Sequence, residues 1–342
     1  MKRLLILLLY VALVVVLLAV AGMWKSLFRP VEMEGGERVE LLIVPGTGYE
    51  EVKVMLDTAG LMVNEQAFDL LAKRKRYRNN IKAGYYVMNS GMSNNQILNM
   101  LKAGNQTPIK VTFNNIRTLP ELAGRLASQL QPDSAAILSH LLNEDNYRED
   151  GFSRETVMAI FIPDTYEMYW TSTPAEITAR MINEFNTFWN ESRRKKAARH
   201  GLEPVEVSIL ASIIDEEVNK VDEKPRIAGV YINRLKKGML LQADPTIRFA
   251  INDFTIRRVL NEHLAVDSPY NTYKNLGLPP GPVRCPSKEG IEAVLNAEEH
   301  DYLFFVARED FSGYHHFSRT LREHNNYANR YRQELNRLRV YN

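Results

Sequence analysis

The residue with the most chemical promise is Glu217, in the segment Pro204–Lys220, PVEVSILASIIDEEVNK. Pro204 suits the first position of a helix, where its missing N–H costs nothing. At about 100° per residue, Ile209, Leu210, Ile213 and Ile214 fall on one apolar stripe, and Glu217 falls near its middle. A carboxylate on a buried face is costly unless it is paired or protonated. Desolvation raises its pKa, which is what a general acid working near neutral pH requires. A buried ion pair with Arg226 or Arg234 would account for the same placement, and helix geometry alone leaves both readings open. Glu206 shares the face but lies in the first turn, where a carboxylate complements the helix dipole. Asp215, on the opposite face, and Glu216, at the edge, read as ordinary solvated charges.

Further polar motifs follow closely. Tyr231-Ile232-Asn233-Arg234-Leu235 opens the series, and Leu241-Gln242-Ala243-Asp244-Pro245-Thr246 gathers an amide, a carboxylate and a hydroxyl. Tyr270-Asn271-Thr272-Tyr273 and Gly277-Leu278-Pro279-Pro280-Gly281-Pro282 form an aromatic–amide turn and a stiff loop. Aromatic faces that pack on sugar rings, beside amides that bond N-acetyl and hydroxyl groups, suit a carbohydrate cleft. Each motif alone is equally at home in a turn or a core. His315-His316 and His324 lack the HExxH arrangement, the single Cys285 excludes both a disulfide framework and a cysteine zinc site, and no nucleophile elbow or phosphate loop is present. No metal and no organic cofactor is expected.

The elements that must hold these residues read as α+β. The chain has 342 residues, with 43 Lys+Arg against 41 Asp+Glu and 45% hydrophobic residues, enough for two or three folded domains. Near-neutral charge gives no whole-chain case for nucleic acid. The basic runs Lys73–Arg76 and Arg193–Lys196 read as solvated helix faces. Residues 1–3 form a basic stub, and the uncharged run Leu4–Trp24 spans about 30 Å as a helix, enough to cross a bilayer. A cleaved signal peptide is the rival reading, with Ala19-Val20-Ala21 as its site, but the apolar run continues past it. Lys2 and Arg3 place the N-terminus in the cytoplasm and the rest outside the cell (inner) membrane.

Residues 25–38 read as a linker. Strands near 41–44, 84–88 and 109–113 alternate with helices near 50–59, 64–75 and 94–102, making a small α+β module over 39–113. Residues 114–200 read as a helical connecting region, with one helix running from Pro174 to about His200 and Phe161–Tyr166 as a loop. An α+β domain occupies 201–342.

Taken in order, these motifs resemble the endolytic transglycosylases of the MltG/YceG type, membrane-anchored murein lyases. Gly84-Tyr85-Tyr86 with Ser93–Gly104 is similar to the family's LysM-like module, and Pro163-Asp164-Thr165-Tyr166 to its PDTY loop. Leu210–Glu217 resembles its LASI(I/V)EKE helix, and the motifs from Asn233 to Gly281 follow in family order, closed by His315-His316-Phe317 and His324-Asn325. The chain departs by reading Asp215-Glu216-Glu217 where the family has Glu-Lys-Glu, and the added charge of Glu216 is expected to raise the Glu217 pKa further. Ile247–Asp267 matches no family pattern.

The resemblance implies that Glu217 is catalytic. It would protonate the departing oxygen between N-acetylmuramic acid and N-acetylglucosamine, then serve as base for the muramyl 6-hydroxyl, leaving a 1,6-anhydro end. Gln242, Asp244, Asn271 and Tyr273 are the residues expected to position substrate. The partners implied are peptidoglycan glycan strands and cell-wall synthases (penicillin-binding proteins). Two other classes stay open: a lysozyme-like hydrolase using Glu217 with Asp244, and a non-catalytic peptidoglycan-binding adaptor for those synthases.

Overall fold

The computed structural model describes residues 2–30, 38–62 and 64–338; half of the expected linker, residues 31–37, lies outside them. Helix α1 (Lys2–Phe28) carries an uncharged apolar run from Leu4 to Trp24 and, between Arg3 and Lys25, is long enough to cross a membrane. Between Arg3 and Lys25 its side chains lie exposed, as they would toward lipid. The chain divides into two compact units, one of Met1–Lys110 with Glu167–Ser172, the other of Val111–Tyr166 with Thr173–Asn342.

In the first unit, β1 (Arg38–Ile43) runs antiparallel to β2 (Gly84–Asn89), with Arg38 opposite Asn89 and Ile43 opposite Gly84. Between them come α2 (Tyr49–Thr58) and α3 (Glu65–Arg74), and after them α4 (Asn94–Ala103). Val52 and Leu56 from α2, Phe68 from α3 and Ile97, Leu98 and Leu101 from α4 bury one face of each helix against Ile43, Tyr86 and Met88. Ser93 caps α4 in a reciprocal box with Gln96, and Gly104 ends it at φ +74°, a left-handed conformation that favours glycine. Strand β3 (Ile109–Phe113) follows.

The second unit is largely helical: α5 (Leu119–Ala127) and α6 (Ser134–Leu142) precede β4 (Asp164–Met168). The expected loop around Asp164 is therefore strand in part, paired with β3. The single helix expected from Pro174 to His200 is two, α7 (Pro174–Phe188) and α8 (Glu191–Arg199). Trp189 leaves helical geometry to bury its indole, and the Asn190 side chain caps the restart by accepting from the Arg193 amide at 3.1 Å. The Arg193–Lys196 run is not simply solvated. Arg193 pairs with Glu292 at 2.7 Å, and Arg194 bonds the Trp189 carbonyl at 2.7 Å.

At the centre lies α9 (Pro204–Glu217), with α10 (Lys224–Lys236), α11 (Asp244–Ile251) and α12 (Lys288–Leu295) packed around it. A hairpin of β5 (Phe304–Ala307) and β6 (His315–Ser318) and the helix α13 (Leu321–Arg337) complete the unit. The stripe expected on α9 is wider than one face: every residue from Val207 to Asp215 is buried. The polar ones are satisfied internally. Ser208 bonds the Pro204 carbonyl, and Ser212 donates to Ile209 and accepts from the Val283 amide. Among the described residues the architecture is mixed α+β, with thirteen α-helices and three two-stranded sheets.

Candidate active site

Glu217 is the last residue of α9, one turn beyond the buried Ile213 and at the point where the helix leaves the core. The side chain retains some solvent exposure but is closely surrounded by protein. Tyr231, one face of α10, is buried and donates its hydroxyl to Glu217 Oε1 at 2.8 Å. Its ring is fixed edge-on against Phe305, with centroids 5.8 Å apart. The Glu217 pKa is pushed up to about 7, chiefly because burial penalises the charged form, with the negative charge of Asp244 adding to it. The Tyr231 hydrogen bond and the positive charges of Arg248 and Arg234 oppose the rise. The carboxyl also lies at a helix C-terminus, whose dipole disfavours a negative charge. Glu217 is thus poised to hold a proton near neutrality and to give it up when demand arises.

Glu217 is not the buried ion pair that Arg226 or Arg234 offered. Arg226 pairs with Glu298 at 2.7 Å, and Arg234 donates to the carbonyls of Leu303 at 2.6 Å and Leu241 at 2.7 Å. Arg234 therefore ties α10 to the β5 hairpin and to the start of the Asp244 motif. Its permanent charge lies near Glu217 without contacting it.

The Leu241–Thr246 and Tyr270–Tyr273 motifs are stapled together. Thr246 and Thr272 share a hydroxyl bond of 2.8 Å, the Ala243 amide donates to Thr272 Oγ1 at 3.0 Å, and the Gln242 amide donates to the Thr272 carbonyl at 3.1 Å. This brings Tyr273 to Asp244, whose Oδ1 accepts the phenol at 2.6 Å. Glu217, Asp244 and Tyr273 thus form one electrostatic cluster. Gln242 is exposed beside it, at φ +49°. Asn271 is fully buried, and its amide donates to the carbonyls of Leu264 and Val266 while its oxygen accepts from the Tyr273 amide. Its side chain is committed to shaping the loop that presents Tyr273. Asn233 is likewise spent on the carbonyls of His300 and Tyr302. Gly281 lets its loop lie against Glu155, because an added Cβ there would meet the Glu155 carbonyl oxygen at 1.9 Å.

The expectation of solvated charges at Asp215 and Glu216 is overturned. Asp215 accepts from Lys224 Nζ at 2.6 Å, from Ser287 Oγ at 2.8 Å and from the Ser287 amide at 2.8 Å. Glu216 bonds Arg117 at 2.9 and 3.0 Å and Arg284 at 2.9 Å, and its side chain is 8% exposed. With two guanidiniums on it, Glu216 is not the charge that lifts the Glu217 pKa; that is burial, then Asp244. Arg248 escaped sequence reasoning, and Tyr231, though part of a motif singled out there, was not linked to Glu217. Tyr231 sits fourteen residues after Glu217, in a following helix, and only helix packing brings the two together.

Residues 41–330 match the YceG-like family. An endolytic murein transglycosylase of Bacillus subtilis (strain 168) is 31% identical over 327 residues, covering 90% of this chain and 88% of its own. One of Streptococcus pneumoniae (strain D39) is 29% identical over 316 residues, covering 81% of this chain but 56% of the longer pneumococcal protein. A crystal structure of a YceG-like protein from Listeria monocytogenes superposes with a TM-score of 0.56 at 29% identity, over 85% of this chain and 98% of that one.

Proposed function

Because this chain belongs to the YceG-like family, we propose that it is a membrane-anchored endolytic murein transglycosylase with Glu217 as its catalytic residue. The relatives that carry that name span most of the chain, which supports the activity class. The observation that carries the mechanism is the Glu217 carboxyl itself, closed in by protein, held by the Tyr231 hydroxyl at 2.8 Å and with its pKa pushed up by burial to about 7. Protonated, it donates to the oxygen linking N-acetylmuramic acid to N-acetylglucosamine. The carboxylate left behind then accepts the proton of the muramyl 6-hydroxyl as that oxygen closes on C1. The C1–O bond to the leaving sugar breaks, a 1,6-anhydro ring forms, and no water is consumed. One carboxyl suffices because the nucleophile is already part of the substrate. Tyr231 holds the carboxyl in place, while Tyr273 orients Asp244 and Gln242 faces solvent beside them to meet sugar.

The rest of the reading follows the chain. Residues 4–24 anchor the protein in the cell membrane with residues 1–3 cytoplasmic, 39–113 form a LysM-like module, 114–200 connect, and 201–342 carry catalysis. An anchored enzyme would act on nascent strands as synthases extrude them. Hydrolysis is the second reading, favoured by one observation: Asp244 acts on Glu217 closely enough to raise its pKa.

The pH profile tests the proton inventory. Only protonated Glu217 can begin the reaction, so kcat/KM should fall as pH rises through about 7. Tyr231→Phe removes a hydrogen bond that favours the carboxylate, so the falling limb should move to higher pH. A profile flat to alkaline pH, or one unmoved in Tyr231→Phe, would contradict this assignment.

A further inference from the structure

Beside Asp244 opens a cavity of about 650 Å³ whose walls carry three guanidiniums, Arg257, Arg258 and Arg332. Arg257 and Arg258 come from the segment after α11 that matched no family pattern, and Arg332 from α13. Arg117, Arg226 and Arg284 each meet a glutamate. Among the described residues, by contrast, none of these three forms an ion pair, although all are exposed. The Asp244 carboxylate, which accepts from Tyr273, shares the lining, but the three like charges outnumber it and repel each other. Apart from Asp244, the rest of the lining is largely apolar. Phe311 is held at φ +52°, a left-handed conformation costly for a bulky aromatic, and lies 5.7 Å from the Tyr331 ring. Backbone strain of that kind persists where the surroundings enforce it, often at a ligand contact.

We infer that this cavity is an oxyanion subsite, in which the Arg257, Arg258 and Arg332 guanidiniums take a free carboxylate of the peptide borne by the glycan strand. The inference rests on the proposed substrate and adds what is read beyond the sugars. Planar guanidiniums bind carboxylates through paired N–H bonds, and the Phe311–Tyr331 wall suits the small apolar side chains that flank such a group. The cavity reaches Asp244, so a strand lying across Glu217 and Asp244 would bring its substituent to the arginines. A phosphate at a lipid-linked strand end offers the same chemistry, and the experiment separates the two.

The full chain carrying Glu217→Gln, in detergent micelles, is titrated with three fluorescent strand preparations. One bears peptides, one is stripped of them by an amidase, and one is stripped but keeps its terminal pyrophosphate. Peptide-bearing strands should bind at least about ten-fold more tightly than stripped ones, the scale of one charge-assisted contact. Adding R257Q, R258Q and R332Q should bring that ratio toward one, and the corresponding three Lys substitutions should retain part of it. Because all three arginines are exposed, the melting temperature should stay unchanged; the single Gln variants, each lowering the ratio, give the same reading independently. A preference for the pyrophosphate strand, lost with the arginines, upholds the oxyanion site with phosphate as its source. Equal binding of all three preparations, or a ratio untouched by the Gln variants, overturns it. Binding does not require the reaction. Discrimination by a wild-type chain that never cleaves would sink the chemistry and leave the subsite, and cleavage without discrimination would do the reverse.

Discussion

Glu217→Gln is expected to lower kcat for strand cleavage by about 10²–10⁴-fold, the range a positioned general acid supplies, and to leave the fold intact. The amide fills the same space and its oxygen can still accept from Tyr231, so the only loss is the transferable proton. The same change should make the protein harder to melt at alkaline pH. A carboxyl whose pKa rises to about 7 on folding favours the folded state while it stays protonated, and that contribution is lost as pH climbs through 7. Glutamine pays no such penalty. The melting temperature of the variant should therefore exceed that of the wild type by more at pH 8 than at pH 5. A variant that retains activity would remove Glu217 from the chemistry. An equal shift at both pH values would say that its carboxyl is not desolvated.

Asp215→Ala should be the most damaging change to stability, costing about 3–5 kcal/mol, as for other buried pairs broken on one side. Its side chain is 3% exposed and that of Lys224 is 10% exposed, so the substitution strands an ammonium in the core. It also leaves both Ser287 donors without their acceptor. The pair joins α9, α10 and the start of α12, the three elements that set the position of Glu217 and Tyr231. Gly290 shows how tightly they meet: a Cβ there would come within 2.6 Å of the Asp215 carboxylate. Thermal unfolding measures the loss, and Glu191→Ala, which breaks only the exposed pair with Lys195, should cost about 1 kcal/mol or less. A cost for Asp215→Ala no greater than that of Glu191→Ala would mean the network contributes nothing.

Local signals carried much of this fold. Ser93 as cap and Gly104 as terminator delimit α4 from sequence alone, and Gly84–Met88 reads as strand because its residues suit a pleated, half-buried surface. The enclosed placement of the Glu217 carboxyl was legible because a carboxylate in an apolar helix is an anomaly that needs no partner to be noticed. Asp215 and Glu216 were misread for the complementary reason. Helix periodicity assumes one buried face, whereas α9 is enclosed on all sides, and what encloses it is distant in sequence. Lys224 lies nine residues on, Ser287 seventy-two, and Arg117 ninety-nine residues back. Asn271 illustrates a second limit. Its residue type suits sugar recognition, but buried backbone carbonyls are satisfied first, and those of Leu264 and Val266 claim its amide. The break at Trp189 turns on tertiary burial of one indole, which outweighs the helical propensity of its neighbours.

The most direct test is mass spectrometry of the ends produced when the full-length protein, in detergent, digests nascent glycan strands in isotopically labelled water. If Glu217 serves as acid and then base, the new muramyl ends are anhydro sugars, one water lighter than reducing ends and free of label, and Glu217→Gln yields none. Reducing ends that carry the solvent label would contradict a lyase and make Asp244 the second carboxylate of a hydrolase. No new ends from the folded wild-type chain would contradict catalysis altogether and leave a protein that binds the wall without cutting it.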